Sequence, residues 1–131
     1  MEHLFIPYEL ALLAKEKGFN EPCLASFLTT GKMTIGSTFG IKNSDLKEGV
    51  DFIKYGYIVT APLYQQITDW FREKHNLVIL IQLPFDVFFT YSIDGISPNG
   101  YYTDSSYKEK KDFVDYYEAL NTAIEEAFKL I

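Results

Sequence analysis

A nearly continuous apolar run at residues 77–83 is the feature that most constrains the fold of this chain. A run without polar alternation is typical of a strand that is covered on both faces, so we expect it at the centre of a sheet. The preceding residues carry an apolar stripe that includes Trp70 and predicts a helix over residues 61–75, with the indole in the core. Thr60 suits the N-cap of this helix, and Pro62 is tolerated in its first turn.

Two further segments have helical periodicity. Asp115 and Glu118 form the pattern of a capping box, and the apolar residues that follow predict a helix over residues 116–130. Near the start of the chain, a shorter stripe predicts a helix over residues 7–17. Gly18 stands where a left-handed C-terminal cap belongs. The sequence therefore predicts two long helices and one short helix.

Strand patterns fill the first half of the chain between these helices. Residues 23–30 and 33–41 are predicted to pair as a hairpin, because turn residues separate two segments of branched and aromatic side chains. The polar residues 43–51 are predicted to form a loop with one helical turn. Alternating residues predict a further strand at 53–59.

Strand patterns also follow the apolar run in the second half. Residues 87–93 are predicted to pair antiparallel with residues 77–83 across a turn at 84–86, and residues 101–103 are predicted to form a short edge strand. Together the elements predict one α+β domain over residues 1–131. Its sheet is antiparallel or mixed, and the two long helices pack together on one face.

The charge balance and the apolar stretches bear on partners and location. Twelve Lys and Arg against eighteen Asp and Glu give a formal net charge of −6, which makes a nucleic-acid partner or an anionic membrane unfavourable. No apolar stretch reaches the roughly 18 residues of a membrane span, and the opening MEHLFIP lacks the features of a signal peptide. With only one cysteine in addition, we expect a cytoplasmic protein with no membrane contact.

The residues that usually carry chemistry are few and scattered. His3, His75 and Cys23 are the only imidazole and thiol groups, so no metal site and no cofactor are predicted. Apolar neighbours favour a buried, inert Cys23 over a nucleophile with His75 as its base. His75 is interpreted as a favourable charge at a helix C-terminus. No catalytic residues are predicted, and we expect a protein that is not an enzyme.

A small basic cluster precedes the last helix and leaves one alternative open. Lys108, Lys110 and Lys111 lie just before a helix N-terminus, a place that can hold phosphate. The predicted order helix, strand, strand, short strand, helix over residues 61–131 resembles the double-stranded RNA-binding fold. Interspersed acidic residues weaken the cluster, so a solvated loop is favoured and a nucleic-acid partner is the alternative.

Three stretches of the chain resemble small proteins encoded by Bacteroidales and by their phages and prophages. These stretches are KEKGFNEPC at 15–23, APLYQQITDWFREKH at 61–75, and the segment from YEAL to KLI at 117–131. The family carries no assigned activity, so the resemblance implies origin and compactness. A phage-type origin implies a small protein that binds a host or viral macromolecule.

These observations lead to one functional expectation and one alternative. We expect a non-catalytic protein-interaction or regulatory protein of phage type, whose partner is a protein that the sequence does not identify. The alternative is a nucleic-acid-binding module that uses the three lysines. The two differ in how binding responds to salt, because contacts with phosphate release counterions.

Overall fold

The structure is a computed structural model, and it describes residues 1–36, 40–46, 56–83, 88–95, 107–108 and 113–131. Within these residues there are three α-helices and two three-stranded antiparallel sheets. The mixed α+β class predicted from the sequence is therefore confirmed. The chain divides into two compact units, Met1–Gln66 and Ile67–Ile131, which we call the first and the second unit. The expectation of one domain stays a prediction.

Helix α1 (Tyr8–Glu16) begins after Pro7 and ends in the glycine cap that the sequence predicts. Gly18 has a φ of 94°, a left-handed conformation that glycine adopts without steric cost. Directly after it, Phe19 donates its N–H to the carbonyl of Ala14 at 2.8 Å, and its ring is buried. This is the hydrogen bond of a Schellman cap, which turns the chain back toward the helix.

The sheet of the first unit has the strand order β2-β1-β3, with β1 at Ala25–Leu28, β2 at Met33–Ile35 and β3 at Tyr57–Ala61. The predicted hairpin of β1 and β2 is confirmed. Helix α1 packs against β3, and Tyr8 meets Phe27 of β1 edge to face, with ring centroids 5.4 Å apart. The side of the sheet that carries Phe27 therefore faces α1.

The outer edge of β3 is closed by side chains from elsewhere in the first unit. Lys15 donates from Nζ to the carbonyl of Ile58 at 2.8 Å, and Oδ1 of Asn43 accepts the N–H of Thr60 at 3.0 Å. The buried amide of Asn43 also donates from Nδ2 to the carbonyl of Phe19 at 2.8 Å. Outward-facing backbone groups that would lack a strand neighbour are thus satisfied.

Helix α2 (Tyr64–His75) starts later than predicted, so the assignment of Thr60 as its N-cap is wrong. Thr60 and Ala61 belong to β3, where both pair with β1. Pro62 follows the strand and lies before the helix, not in its first turn. The pairing with β1, which is distant in sequence, extends the strand beyond the point where the local pattern favours a helix.

The sheet of the second unit has the strand order β4-β5-β6, with β4 at Leu77–Gln82, β5 at Thr90–Gly95 and β6 at Tyr107–Lys108. Strands β4 and β5 pair antiparallel over the whole length of both, with Ile79 opposite Ile93. The antiparallel pairing predicted for these two segments is confirmed.

Strand β4 lies at an edge of this sheet, so the central position predicted for residues 77–83 is wrong. Among the described strands, β5 is the neighbour of β4 on one side, and none pairs with it on the other. Each side chain of β4 is half-buried or exposed, whereas Tyr91 and Ile93 of β5 are buried. Ile79 and Ile81 share the face of the buried Ile93 and Tyr91, whereas Val78 and Leu80 lie on the other face, so the run is apolar on both faces. The length of such a run does not specify the number of strand neighbours.

Helix α3 (Tyr116–Lys129) has the predicted N-cap, because Oδ2 of Asp115 accepts the N–H of Glu118 at 3.1 Å. The helix packs against β4 and β5. Phe71 of α2 meets Phe128 of α3 with ring centroids 4.9 Å apart, so the two long helices pack together as predicted.

Several predicted elements lie outside the described residues. These are the turn at 84–86, the strand at 101–103, and parts of the segments 33–41, 43–51, 53–59 and 87–93. The described part of the 43–51 loop contains the expected helical turn, a 3-10 turn at Asn43–Asp45.

We predict that Trp70→Ala lowers the free energy of unfolding by roughly 3 to 5 kcal/mol, the usual cost of truncating a large core aromatic residue. The indole is 6% exposed and contacts the rings of Phe71 and Phe128. Urea unfolding measures the effect. Glu73→Ala on the exposed face of the same helix is the control and should change the value by less than about 0.5 kcal/mol. Equal midpoints for the two variants would contradict the core placement.

Candidate interaction surface

Cys23 is buried, as the sequence predicts, and it lies in the first unit next to the start of β1. Its thiol is within 3.4 Å of the carbonyl oxygen of Glu21 and within 3.8 Å of Oε1 of Gln66. Both partners accept hydrogen bonds, and neither is a base that could remove the thiol proton. The surroundings of Cys23 hold the thiol in place and do not activate it.

The electrostatics of this position also disfavour a thiolate. Burial raises the pKa of the Cys23 thiol from 9.0 to about 11, the Thr60 side chain lowers it, and the charge of Glu21 raises it further. A reactive cysteine needs the opposite environment, in which the thiolate is stabilised near neutral pH. Cys23 is therefore a structural residue of the first unit.

Two buried hydroxyl groups lie opposite each other on β1 and β3. Ser26 pairs with Thr60 in the sheet register, so both side chains are on the same side of the sheet. Among the described residues, neither Ser26 Oγ nor Thr60 Oγ1 has a hydrogen-bond partner, although the Thr60 hydroxyl is close enough to the thiol of Cys23 to affect its pKa. A nucleophilic hydroxyl needs an adjacent base as its hydrogen-bond partner, and no described residue supplies one to these two groups.

His75 ends α2 and packs against an aromatic ring. Its imidazole meets Trp70 edge to face with ring centroids 4.5 Å apart. Burial lowers the pKa of His75, so the ring is mainly neutral at pH 7 and stabilises the unit by packing more than by charge. Across the described residues, no group of three or more His, Cys, Asp or Glu side chains is placed to hold a metal ion.

The three lysines of the alternative interpretation are only partly described. The backbone of Lys108 belongs to β6, whereas Lys110 and Lys111 lie outside the described residues. The N-terminus of α3 carries two acidic residues, Asp115 and Glu118, and the carboxylate of Asp115 already accepts a backbone N–H there. A phosphate at this helix end would meet negative charge.

Strands β3 and β4 both lie at a sheet edge, but their outer edges differ in how the backbone groups are bonded. Lys15 and Asn43 bind outward-facing groups of β3, but no hydrogen bond joins the outer edge of β4 to any other described residue. Alternate residues of a strand point their N–H and C=O groups to opposite sides, so half of the β4 backbone is available for pairing. This edge is the candidate interaction surface.

The side chains of β4 are apolar except for Gln82, which is exposed. Val78 and Leu80 lie on the face opposite the buried Ile93, and Leu80 is 40% exposed. Phe88, two residues before β5, is also exposed. A partner strand on β4 would therefore gain apolar contacts as well as backbone hydrogen bonds.

Sequence reasoning missed this surface because it placed the apolar run inside the sheet. The described β6 has only two residues, and it pairs with β5 on the side away from β4. Lone charged or proline residues would mark a protected edge, and residues 77–82 contain neither.

Comparisons with known proteins identify no relative. No protein-family model, no curated protein and no solved structure matches the chain. Within the described residues, no helix has the length and apolar character to cross a membrane.

We predict that the stability of the protein falls at alkaline pH through Cys23. The unfolded thiol loses its proton near pH 9, whereas the folded thiol keeps it until about pH 11, so deprotonation favours the unfolded state between these values. From pH 8 to pH 10, the wild type should lose roughly 1 to 1.5 kcal/mol relative to Cys23→Ala. Urea unfolding of both proteins at both pH values measures this difference. The contribution of the tyrosines cancels, because both proteins contain the same ones. Parallel pH dependence in the two proteins would contradict it.

Proposed function

We propose that the chain is a non-catalytic protein-interaction module of regulatory type, which binds an extended segment of a partner protein along the outer edge of β4. The observation that carries the proposal is the outer edge of β4, which pairs with no other described strand and carries Leu80, 40% exposed. Adding a strand to such an edge is a common way for proteins to recognise extended peptides, since backbone bonds give affinity and side-chain pockets give specificity.

The sequence of β4 supports a functional edge. Exposed edge strands are usually protected by charged side chains, prolines, bulges or covering segments. Strand β4 has the sequence LVILIQ, pairs with β5 in regular register and carries no charge. Keeping this edge unprotected has a cost in aggregation risk, which a binding role would explain.

A regulatory role in the cytoplasm agrees with the other properties of the chain. The resemblance to phage-type proteins favours a small protein that binds a host or viral macromolecule. Burial raises the pKa of the Cys23 thiol, and the buried hydroxyls of Ser26 and Thr60 have no hydrogen-bond partner among the described residues. These features support binding and not catalysis.

We predict that a display library of random extended peptides contains ligands for the wild-type protein and that Leu80→Lys weakens them about tenfold or more. A lysine at this position removes apolar contact area and adds a charge that must be desolvated on binding. Fluorescence anisotropy with labelled synthetic peptides measures the affinities.

Ile35→Lys is the matched control, because Ile35 is 39% exposed on β2, an edge strand of the first unit. It should leave the affinities unchanged. A second control uses N-methylated peptides: methylation of the amides that face β4 should abolish binding, whereas methylation of the alternate amides should not. Absence of enriched peptides, or equal effects of the two lysine variants, would contradict the proposed function.

One observation favours the alternative, a nucleic-acid-binding module. The element order α2-β4-β5-β6-α3, with an antiparallel sheet in the order β4-β5-β6, agrees with the arrangement that the double-stranded RNA-binding fold uses. The acidic N-terminus of α3 and the net charge of −6 stand against it. We therefore keep it as the second candidate.

We predict that the wild-type protein shows no measurable binding of duplex RNA or DNA at physiological salt, because its net negative charge repels a polyanion. If Lys108, Lys110 and Lys111 contact about three phosphates, log affinity should fall with log salt at a slope near 0.9 per contact. Titration of labelled duplex at two salt concentrations measures it. Micromolar binding that a Lys→Glu variant of all three residues abolishes would establish the alternative in place of the protein-interaction role.

A further inference from the structure

We propose that the outer edge of β4 also pairs with the same edge of a second copy of this chain, and that this self-pairing competes with the partner segment. The competition rests on the proposed function, since it names a regulation of the same site. Two observations carry the inference: the outer edge of β4 pairs with no other described strand, and the sequence along that edge complements itself.

The geometry of β4 determines which residues two copies would bring together. Two copies of one strand that pair antiparallel are related by a two-fold axis normal to the sheet, so each residue faces one from the same side of the sheet. Ile79 and Ile81 share the face of the buried Ile93, whereas Val78 and Leu80 lie on the other face. Residues that face each other across the axis must therefore both have odd numbers or both have even numbers.

One such register joins only apolar side chains of β4. With the axis at Ile79, the pairs within β4 are Ile79 with itself, Val78 with Leu80, and Leu77 with Ile81. An axis at Leu80 would instead place Val78 opposite the exposed, polar Gln82. Because apolar cross-strand pairs stabilise a sheet, we expect the register with the axis at Ile79.

No charged side chain separates the two edges at short range. Residues 76–83 have the sequence NLVILIQL, which contains neither a charged residue nor a proline. Edge strands usually carry such residues, which prevent pairing between identical chains. Like charges opposite each other would destabilise the pair, and the expected register brings none together over residues 76–82.

Two other properties make the self-pairing weak. Each copy has a formal net charge of −6, so the copies repel each other until salt screens the repulsion. The paired edge has six residues in each copy, whereas stable interfaces use about 20 to 30 residues a side. The area therefore supports a transient dimer, which a partner segment can displace.

Self-pairing and partner binding exclude each other, because both use the outward-facing backbone groups of β4. The fraction of chains with a free edge falls as the protein concentration rises. The apparent affinity for a partner segment falls with that fraction. The chain thus limits its own binding activity when it is abundant.

Sedimentation velocity of the full chain tests the self-pairing. The wild type should form dimers as its concentration rises, and dimerisation should strengthen about tenfold from low to high salt, because screening removes the repulsion. Leu80→Glu should remove the dimer, whereas Ile35→Glu on the edge strand β2 of the first unit should not. A wild type that stays monomeric at millimolar concentration in high salt would overturn the inference.

Mixtures of charged variants test the register. Leu80→Glu and Val78→Lys should each be monomeric, but an equimolar mixture should form a heterodimer, because the axis at Ile79 brings the two new charges together. A mixture of Leu80→Glu with Leu80→Lys pairs its charges only with the axis at Leu80. Dimerisation of this second mixture in place of the first would refute the register. Thermal unfolding shows whether each variant is folded, and the wild-type series decides the self-pairing without any variant.

The outcomes separate this inference from the proposed function. Peptide ligands that need Leu80, together with a wild type that stays monomeric, would refute the self-pairing and leave the function standing. A dimer that Leu80→Glu removes, without any peptide ligand, would refute the function and leave the self-pairing standing. Where both occur, a saturating peptide ligand should convert the dimer to monomers, and a dimer that persists with bound peptide would refute the competition.

Discussion

Half of the hydrogen-bonding groups of β4 point away from its neighbour β5, and the properties of the second unit depend on this geometry. Water can satisfy these groups while the edge is exposed. A partner strand replaces that water with direct bonds and covers Val78 and Leu80 in the same step. Because backbone bonding is regular and apolar burial is not directional, the pairing is favourable for many extended sequences. Selectivity must then come from side chains next to the edge.

The first unit shows how the same chain closes an edge that it does not use. Strand β3 also has one strand neighbour, yet Lys15 and Asn43 bind its outward groups. The backbone N–H of Ile6 binds the carbonyl of Pro62, which follows β3, at 3.0 Å. Truncation of Asn43 would leave two buried backbone groups without partners, at a cost of roughly 1 to 3 kcal/mol for each. The difference between the two edges therefore reflects specific side chains and not a general lack of covering segments.

The sequence predicts those features that depend on neighbouring residues. The cap at Gly18, the N-cap at Asp115 and the buried position of Trp70 all follow from local patterns, and the structure confirms them. It does not predict features that depend on distant pairing. Thr60 has the chemistry of an N-cap but lies in a strand because β1 pairs with it. The apolar run at residues 77–83 has the composition of a central strand but has one neighbour among the described strands. The candidate surface was missed for that second reason.

Net charge helps to explain how the outer edge of β4, which no described strand covers, is tolerated. Strand β4 lacks the charged residues that normally prevent edges of identical chains from pairing. The excess of acidic residues in the second unit supplies a weaker, longer-range protection, because two copies repel each other before their edges meet. The repulsion acts on any acidic chain and is reversed for a basic one. The excess of acidic residues thus opposes pairing between identical copies of this chain.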